Sequence, residues 1–462
     1  MDISAFEGMG DARAAEADYL TVIRAARGNP RRLEDLYQEA RRSGQSGRFG
    51  AALMEISAAQ PEDTLYLAWR YRLESQDDVR LGRLGASWRL AVPISVVLAL
   101  VLWITSDPTW TVAGNVPLQV FLWPPLAALA ILWYLTLAGT HSAQRIGLAA
   151  GVTVALAAIA AYIWFIPSVA PQASLLGGGT SATYLTLMAL HLPLMAWAAV
   201  GLVALGLRYT ARDLFGLLTK SLETIGSAGV YGIAVAVFVG LTYAMFNTLQ
   251  IELPDLWQRL LYFGGAGLLP VLAVASVYDP VRRAGAQDFY RGFGKILAII
   301  MRLLLPLTLL TLLVYIAFIP FNFLAPFNQR NVLITYNVGL FAVMGLLVGV
   351  IPLSSDDVAA QWRGWLRAGI VALAALALLV SLYALSAILY RTVALDGLTM
   401  NRLVVIGWNT LNVVLLALAL IAQARAGRGD GWVAALQRVA RGGALAYIVW
   451  GLALILALPW LF

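Results

Sequence analysis

The residues able to do chemistry in this chain are few and widely spaced. His191, in LMALHLPLMAW, is one of two histidines among 462 residues; the other is His141. An imidazole inside an apolar stretch can bind a substrate, relay protons or hydrogen-bond a neighbouring helix. Pro193 lies two residues on, lacks an N–H and frees a carbonyl upstream. Asn409 and Asn412 are three apart, so on a helix they share a face. With Asn247 and Asn337 they put uncharged polar groups inside apolar runs. His191, Asn409 and Asn412 define a candidate polar path for a substrate; the same groups could equally hold helices together. A second constellation, Arg391, Asn401 and Arg402, surrounds the turn Asp396-Gly397-Leu398-Thr399-Met400. Gly397 can end one helix in a left-handed cap and Thr399 can start the next. The two arginines would then lie at headgroup depth, as an outer anion or headgroup site or as snorkelling ends of a rigid hairpin.

The missing residue types bound the reaction classes. Zero cysteines exclude thiol nucleophiles, Cys-ligated zinc and iron–sulfur clusters. Two histidines and no paired acids supply neither a metal site nor an acid–base couple, so no metal, no cofactor and no enzymatic reaction are expected. Asp107, in TSDPTW, reads as a turn residue, and Glu252 and Asp255 read as favouring the start of the following helix. Basic residues are dispersed among short loops and form no stripe interleaved with aromatics, which argues against a nucleic-acid partner.

The elements that must position these residues are membrane helices. Hydrophobic residues make up 60% of the chain and charged residues 12%, with mean hydropathy +0.77. A soluble domain carries about 25% charged residues. Apolar runs long enough to cross a hydrocarbon core of roughly 30 Å recur at 90–106, 116–138, 146–166, 182–207, 226–248, 256–277, 296–318, 334–351, 368–390, 403–422 and 444–462. Each must satisfy its own backbone in lipid, so the fold class is all-α: a polytopic transmembrane helical bundle of about eleven spans. Pro124 and Pro125 would kink or shorten the second span. Arginine and lysine placement fixes an orientation. Nineteen basic residues fall within residues 70–89, just before the first span, or in alternate loops, against only Arg259, Arg330, Arg391 and Arg402 in the opposite loops. The expectation is a bacterial cytoplasmic membrane protein with N-terminus inside and C-terminus outside. No apolar run from Met1 to Ser87 suits a signal peptide, so the first span is expected to act as its own insertion signal. The segment 208–225 is amphipathic, with Leu214, Leu217, Leu218, Leu222 and Ile225 on one face and Arg212, Lys220 and Glu223 elsewhere. That pattern predicts a helix lying in the inner interface and leading into the fifth span.

Residues 1–89 differ in kind. They hold 13 of the 32 basic and 14 of the 25 acidic residues. Apolar stripes at Ala12, Ala15, Tyr19, Ile23 and Ala26; at Leu33, Leu36, Tyr37 and Ala40; at Phe49, Ala52, Leu53 and Ile56; and at Leu65, Ala68, Trp69 and Leu73 predict four helices. Gly28-Asn29-Pro30, Ser43-Gly44-Gln45-Ser46-Gly47 and Pro61 interrupt them. This small cytoplasmic helical domain has the offsets of one tetratricopeptide-like hairpin, or of a generic four-helix cap. The division expected is 1–89 soluble and 90–462 transmembrane.

The layout LFGLLTKSLETIGSAGVYGIAVAVFVGLTYAMFNTL, then LLYFGGAGLLPVLAVASVYDP, then ILYRTVALDGLTMNRLVVIGWNTLNVVLLAL, resembles the bacterial membrane-protein family catalogued as domain of unknown function 4153. The resemblance is clearest over 214–415 and excludes the first 89 residues. It implies fold and membrane location and carries no reaction. The functional expectation is a non-catalytic scaffold, sensor or assembly factor that docks cytosolic or membrane proteins through residues 1–89. The alternative is a transporter or lipid-handling protein with a polar intramembrane path. In both, the lipid bilayer is the first partner.

Overall fold

Among residues 19–73, the expected breaks at Gly28-Asn29-Pro30 and Pro61 lie at helix boundaries. In the computed structural model the described residues are 19–42, 46–73, 88–112, 116–140, 142–169, 180–289, 292–427 and 431–462. The chain divides into two compact units, Met1–Gly85 and Ala86–Phe462, a boundary four residues ahead of that expected at 89.

In the first unit, residues 19–25 (α1), Pro30–Arg42 (α2), Ser46–Ala59 (α3) and 64–73 (α4) are helical. Gly28 has φ +74, a conformation that glycine adopts without strain. Asn29 Oδ1 accepts the Arg32 N–H at 3.1 Å, and Pro30 occupies the first helical position. Asp63 plays the same part for α4, its Oδ1 accepting the Leu65 N–H at 3.1 Å. Ile23, Leu33, Phe49, Leu53, Ile56 and Tyr66 form a fully buried core. The fourth stripe is rotated from expectation. Tyr66, Trp69 and Leu73 face inward and Ala68 faces out, because the Tyr66 hydroxyl reaches in to donate to Ile23 O at 3.1 Å. The four helices share this core. Ala12 and Ala15 lie outside the described residues.

The second unit is a bundle of apolar helices. They are α5 (Trp88–Ile104), α6 (Leu118–Ala138), α7 (Ala143–Val169), α8 (Ser181–Leu205), α9 (Ala211–Thr248), α10 (Asp255–Arg259), α11 (Gly265–Val277), α12 (Phe293–Phe318), α13 (Ala325–Asn328), α14 (Arg330–Val350), α15 (Ala360–Tyr390), α16 (Met400–Arg425) and α17 (Trp432–Leu461). A π-helical turn, Leu260–Gly264, makes α10 and α11 one continuous span. Among the described residues nine such helices are long and apolar enough to cross a bilayer, and two shorter ones, Trp88–Ile104 and Tyr336–Val350, complete the eleven expected runs. The chain is a multi-pass membrane protein. The only sheet among the described residues is a two-stranded antiparallel ladder, Thr111–Val112 with Val116–Pro117.

Helix α6 carries Pro124 and Pro125 inside a helix that starts at Leu118, two residues into the expected span. The carbonyls they free cost little where neighbouring helices and local adjustment re-satisfy them. The amphipathic segment leads into the fifth span, but burial of Lys220 and Glu223 corrects the reading of it as an interfacial helix. Residues 211–225 form the first third of α9, a continuous helix about 57 Å long at 1.5 Å per residue. Its polar face is covered by the segment 279–289. Lys220 and Glu223 are only 4% and 5% exposed, while Ile225 is exposed.

Candidate functional site

Helices α8, α16 and α17 meet along a buried polar seam. His191 Nδ1–H donates to Leu187 O at 2.7 Å, and Trp408 Nε1–H donates to His191 Nε2 at 3.0 Å. This pairing assigns the imidazole proton to Nδ1 and leaves both nitrogens occupied in a neutral ring. The carbonyl used is that of Leu187, not that of Ala189, which Pro193 frees. The Trp408 indole touches the Tyr447 ring edge-on, with centroids 5.2 Å apart, and the Tyr447 hydroxyl donates to Asn412 Oδ1. On the next face of α16, Asn409 Nδ2 donates to Asn337 Oδ1 at 2.6 Å and to Val405 O at 2.9 Å. Its own Oδ1 is buried without a partner. The structure therefore joins His191 to Asn412 through Trp408 and Tyr447, which the sequence reading did not single out, while Asn409 bonds separately to Asn337. Their bonds mostly run between helices. Asn247 is apart from them, exposed in the last turn of α9.

Beneath the seam the same helices separate around a cavity of about 380 Å³. Its wall is apolar and comes from α8, α9, α14, α15, α16 and α17, and includes the small residues Ala419, Ala440 and Ala444. Polar groups are confined to a few places on it. Tyr447 stands at the seam end. At the far end is Gln423, whose Oε1 accepts Arg367 Nε–H at 3.0 Å and whose Nε2 donates to Trp432 O at 3.0 Å. Neither His191, Asn409 nor Asn412 lines it. A second apolar cavity, of about 440 Å³, lies across α8 and α9 from the first, against α6 and α11.

Sequence reading missed a buried ion pair. Lys220 Nζ donates to Glu223 Oε2 and to Asp288 O, both at 2.6 Å, and lies 5.2 Å from the centre of the Phe289 ring. The Thr210–Asp213 capping box starts the helix below, and Asp213 Oδ1 also accepts the Gly285 N–H at 3.1 Å. The i,i+3 spacing of Lys220 and Glu223 was visible; the loop that buries them was not.

No family model, curated protein or solved structure matches the chain. Its sites are read from their own geometry.

The turn at Gly397 is tied together by its own residues. Gly397 has φ +73, and Thr399 Oγ1 accepts the Arg402 N–H at 3.4 Å. Arg402 Nη1 donates to Gly397 O at 2.6 Å, which ties the guanidinium to its own turn. Asn401 is exposed, and Arg391 keeps Nη1 buried without a partner. Asp107 is likewise committed to structure. It accepts Thr109 Oγ1–H at 2.6 Å and Thr109 N–H at 3.0 Å and pairs with Arg259 at 3.5 Å. The Thr109 hydroxyl, with that backbone N–H and the nearby guanidinium, holds its carboxyl below the usual carboxylate range. Among the described residues no group of three acidic or histidine side chains could hold a metal ion.

Proposed function

We propose that this protein is a non-catalytic membrane protein that binds a membrane lipid, with one hydrocarbon chain of the lipid held in the 380 Å³ cavity below Tyr447. The observation that carries this reading is the contrast within that cavity: an apolar wall built from six helices, with the seam at one end and Gln423 at the other. Its volume falls in the range of ligand sites, roughly 300–1,000 Å³. An apolar cavity of about 150 Å³ already takes up benzene and stays dry. Interhelix side-chain bonds then serve to hold the walls apart at fixed ends, and the polar path through His191, Asn409 and Asn412 becomes a frame rather than a conduit. Native mass spectrometry of the full chain, extracted gently from its membrane, tests the proposal. A lipid retained by the protein and lost on Ala419→Phe, which fills the cavity, is the expected result.

A second reading, protein docking through the first unit, is favoured by the closed core of residues 19–73, which leaves its charged residues outside. Deletion of residues 1–80 would remove a stoichiometric protein partner under this reading and leave lipid retention intact. The nineteen-to-four distribution of basic residues supports placing the N-terminus in the cytoplasm and the C-terminus outside, in a bacterial inner membrane. The layout over 214–415 supports kinship with the uncharacterised bacterial family it resembles.

A further inference from the structure

The two apolar cavities share a wall. Trp197, Ser221 and Ile225 line both, and Ile225 faces outward. The Trp197 indole is pinned across the contact of α8 and α9, its Nε1–H donating to Ser221 Oγ at 2.9 Å. The serine is itself fixed, donating to Leu217 O at 2.8 Å. One turn further along α8 the helices approach too closely for any opening: a Cβ at Gly201 would lie 3.0 Å from Leu217 Cδ2. The indole is therefore the large movable side chain between a space of about 380 Å³ and one of about 440 Å³.

We infer that Trp197, held by Ser221, sets the length of hydrocarbon chain that the transmembrane unit accepts, by closing the wall that the first cavity shares with the second. This rests on the lipid-binding reading above. The occupant is the linear acyl chain of a membrane lipid. Both spaces have apolar walls, and the polar side chains on the second (Lys220, Ser221, Thr224, Tyr278 and the indole itself) include no free cation, since Lys220 is committed to Glu223 and Asp288 O. A chain ending at the indole makes contacts only in the first cavity. Removing the indole roughly doubles the continuous space, and each additional methylene then gains close contacts on all sides instead of stopping at a ring.

The test uses the full chain reconstituted in vesicles of equimolar dimyristoyl, dipalmitoyl and distearoyl phosphatidylcholine, re-extracted gently, with bound lipid identified by mass spectrometry. The wild-type protein should retain a lipid with a preference for the shorter chains. Trp197→Ala should shift the bound population toward distearoyl by at least about twofold. Ser221→Ala, which keeps the packing and only frees the indole, should shift it in the same direction by less. It also keeps the test open if Trp197→Ala fails to fold. Retained lipid with the same chain profile in wild type and Ser221→Ala, and in Trp197→Ala where it folds, would overturn the gauge while leaving lipid binding intact. Absence of any retained lipid in the wild type would overturn lipid binding itself, and the gauge with it.

Discussion

The two ends of the packing between α8, α16 and α17 are built on opposite terms. At the end carrying His191, Trp408 and Tyr447 the helices close up. Small residues let large ones in: Gly407 leaves room for the Trp450 ring, and a Cβ at Gly451 would lie 2.5 Å from Met195 Cε. Side-chain hydrogen bonds then tie one helix to the next. At the other end Ala419, Ala440 and Ala444 line a cavity, while Gly443 beside them is again a site of close approach, a Cβ there lying 2.8 Å from Leu415 Cδ2. Small residues in a membrane bundle usually mark close helix approach. Here they serve closeness at some positions and space at others, and what decides between them is whether a bulky partner faces them. The polar ties sit beyond the cavity at both ends, Tyr447–Asn412 above and Arg367–Gln423–Trp432 below. The cavity is thereby framed rather than left over.

The largest break in this comparison should come from Gly407→Leu. It drives a side chain into the Trp450 ring and should cost several times the roughly 1–3 kcal/mol of ordinary overpacking, read as loss of folded protein in a detergent thermal-shift assay. Next is Asn412→Leu, which strips the Tyr447 hydroxyl of its acceptor and should lower stability by about 1–2 kcal/mol. His191→Leu should act on the same seam by a similar or smaller amount, through loss of the Trp408 bond. A double variant with Trp408→Phe should be less damaging than the sum of the two, because both remove one interaction. Ala419→Phe separates the ends: it should leave the thermal midpoint unchanged or raised and still abolish lipid retention.

The smallest effect lies in the first unit. Glu34 accepts hydrogen bonds from Arg72, one with Nη2 at 3.1 Å, and from Gln38 Nε2 at 2.7 Å. The Arg72 bond first, then that of Gln38, holds the Glu34 carboxyl below its ordinary value. A carboxyl lowered on folding contributes stability that is fully present above its unfolded value, near 4.5, and lost as pH falls through the folded value. Both partners are more than a third exposed, so solvent screening keeps this below about 1 kcal/mol. Hydrogen exchange over residues 30–73 of the full chain should quicken slightly below that range, and Glu34→Gln should flatten the dependence.

Much of the fold was legible because lipid imposes a length on every span. The eleven apolar runs became helices, and Gly28-Asn29-Pro30 and Gly397…Thr399 act as the breaks and caps their residue types suggest. The importance of His191, Asn409 and Asn412 as buried polar groups was also legible, since such groups stand out against an apolar run. Their partners were not. Trp408 and Tyr447 look like ordinary membrane aromatics until helices from distant parts of the chain bring their N–H and O–H groups to His191 and Asn412. Lys220 and Glu223 were placed only off the apolar face of an amphipathic helix, because periodicity cannot see a loop 60 residues away folding over them. The cavities leave no mark in sequence at all, because an alanine facing a void and an alanine facing a ring are the same letter.

The central claim is that the space beneath Tyr447 holds a lipid chain. Native mass spectrometry of the gently extracted wild type and of Ala419→Phe, compared at equal thermal stability, tests it most directly. The account predicts a lipid adduct on the wild type and none on the variant. An adduct of equal abundance on both, or on neither, would contradict it.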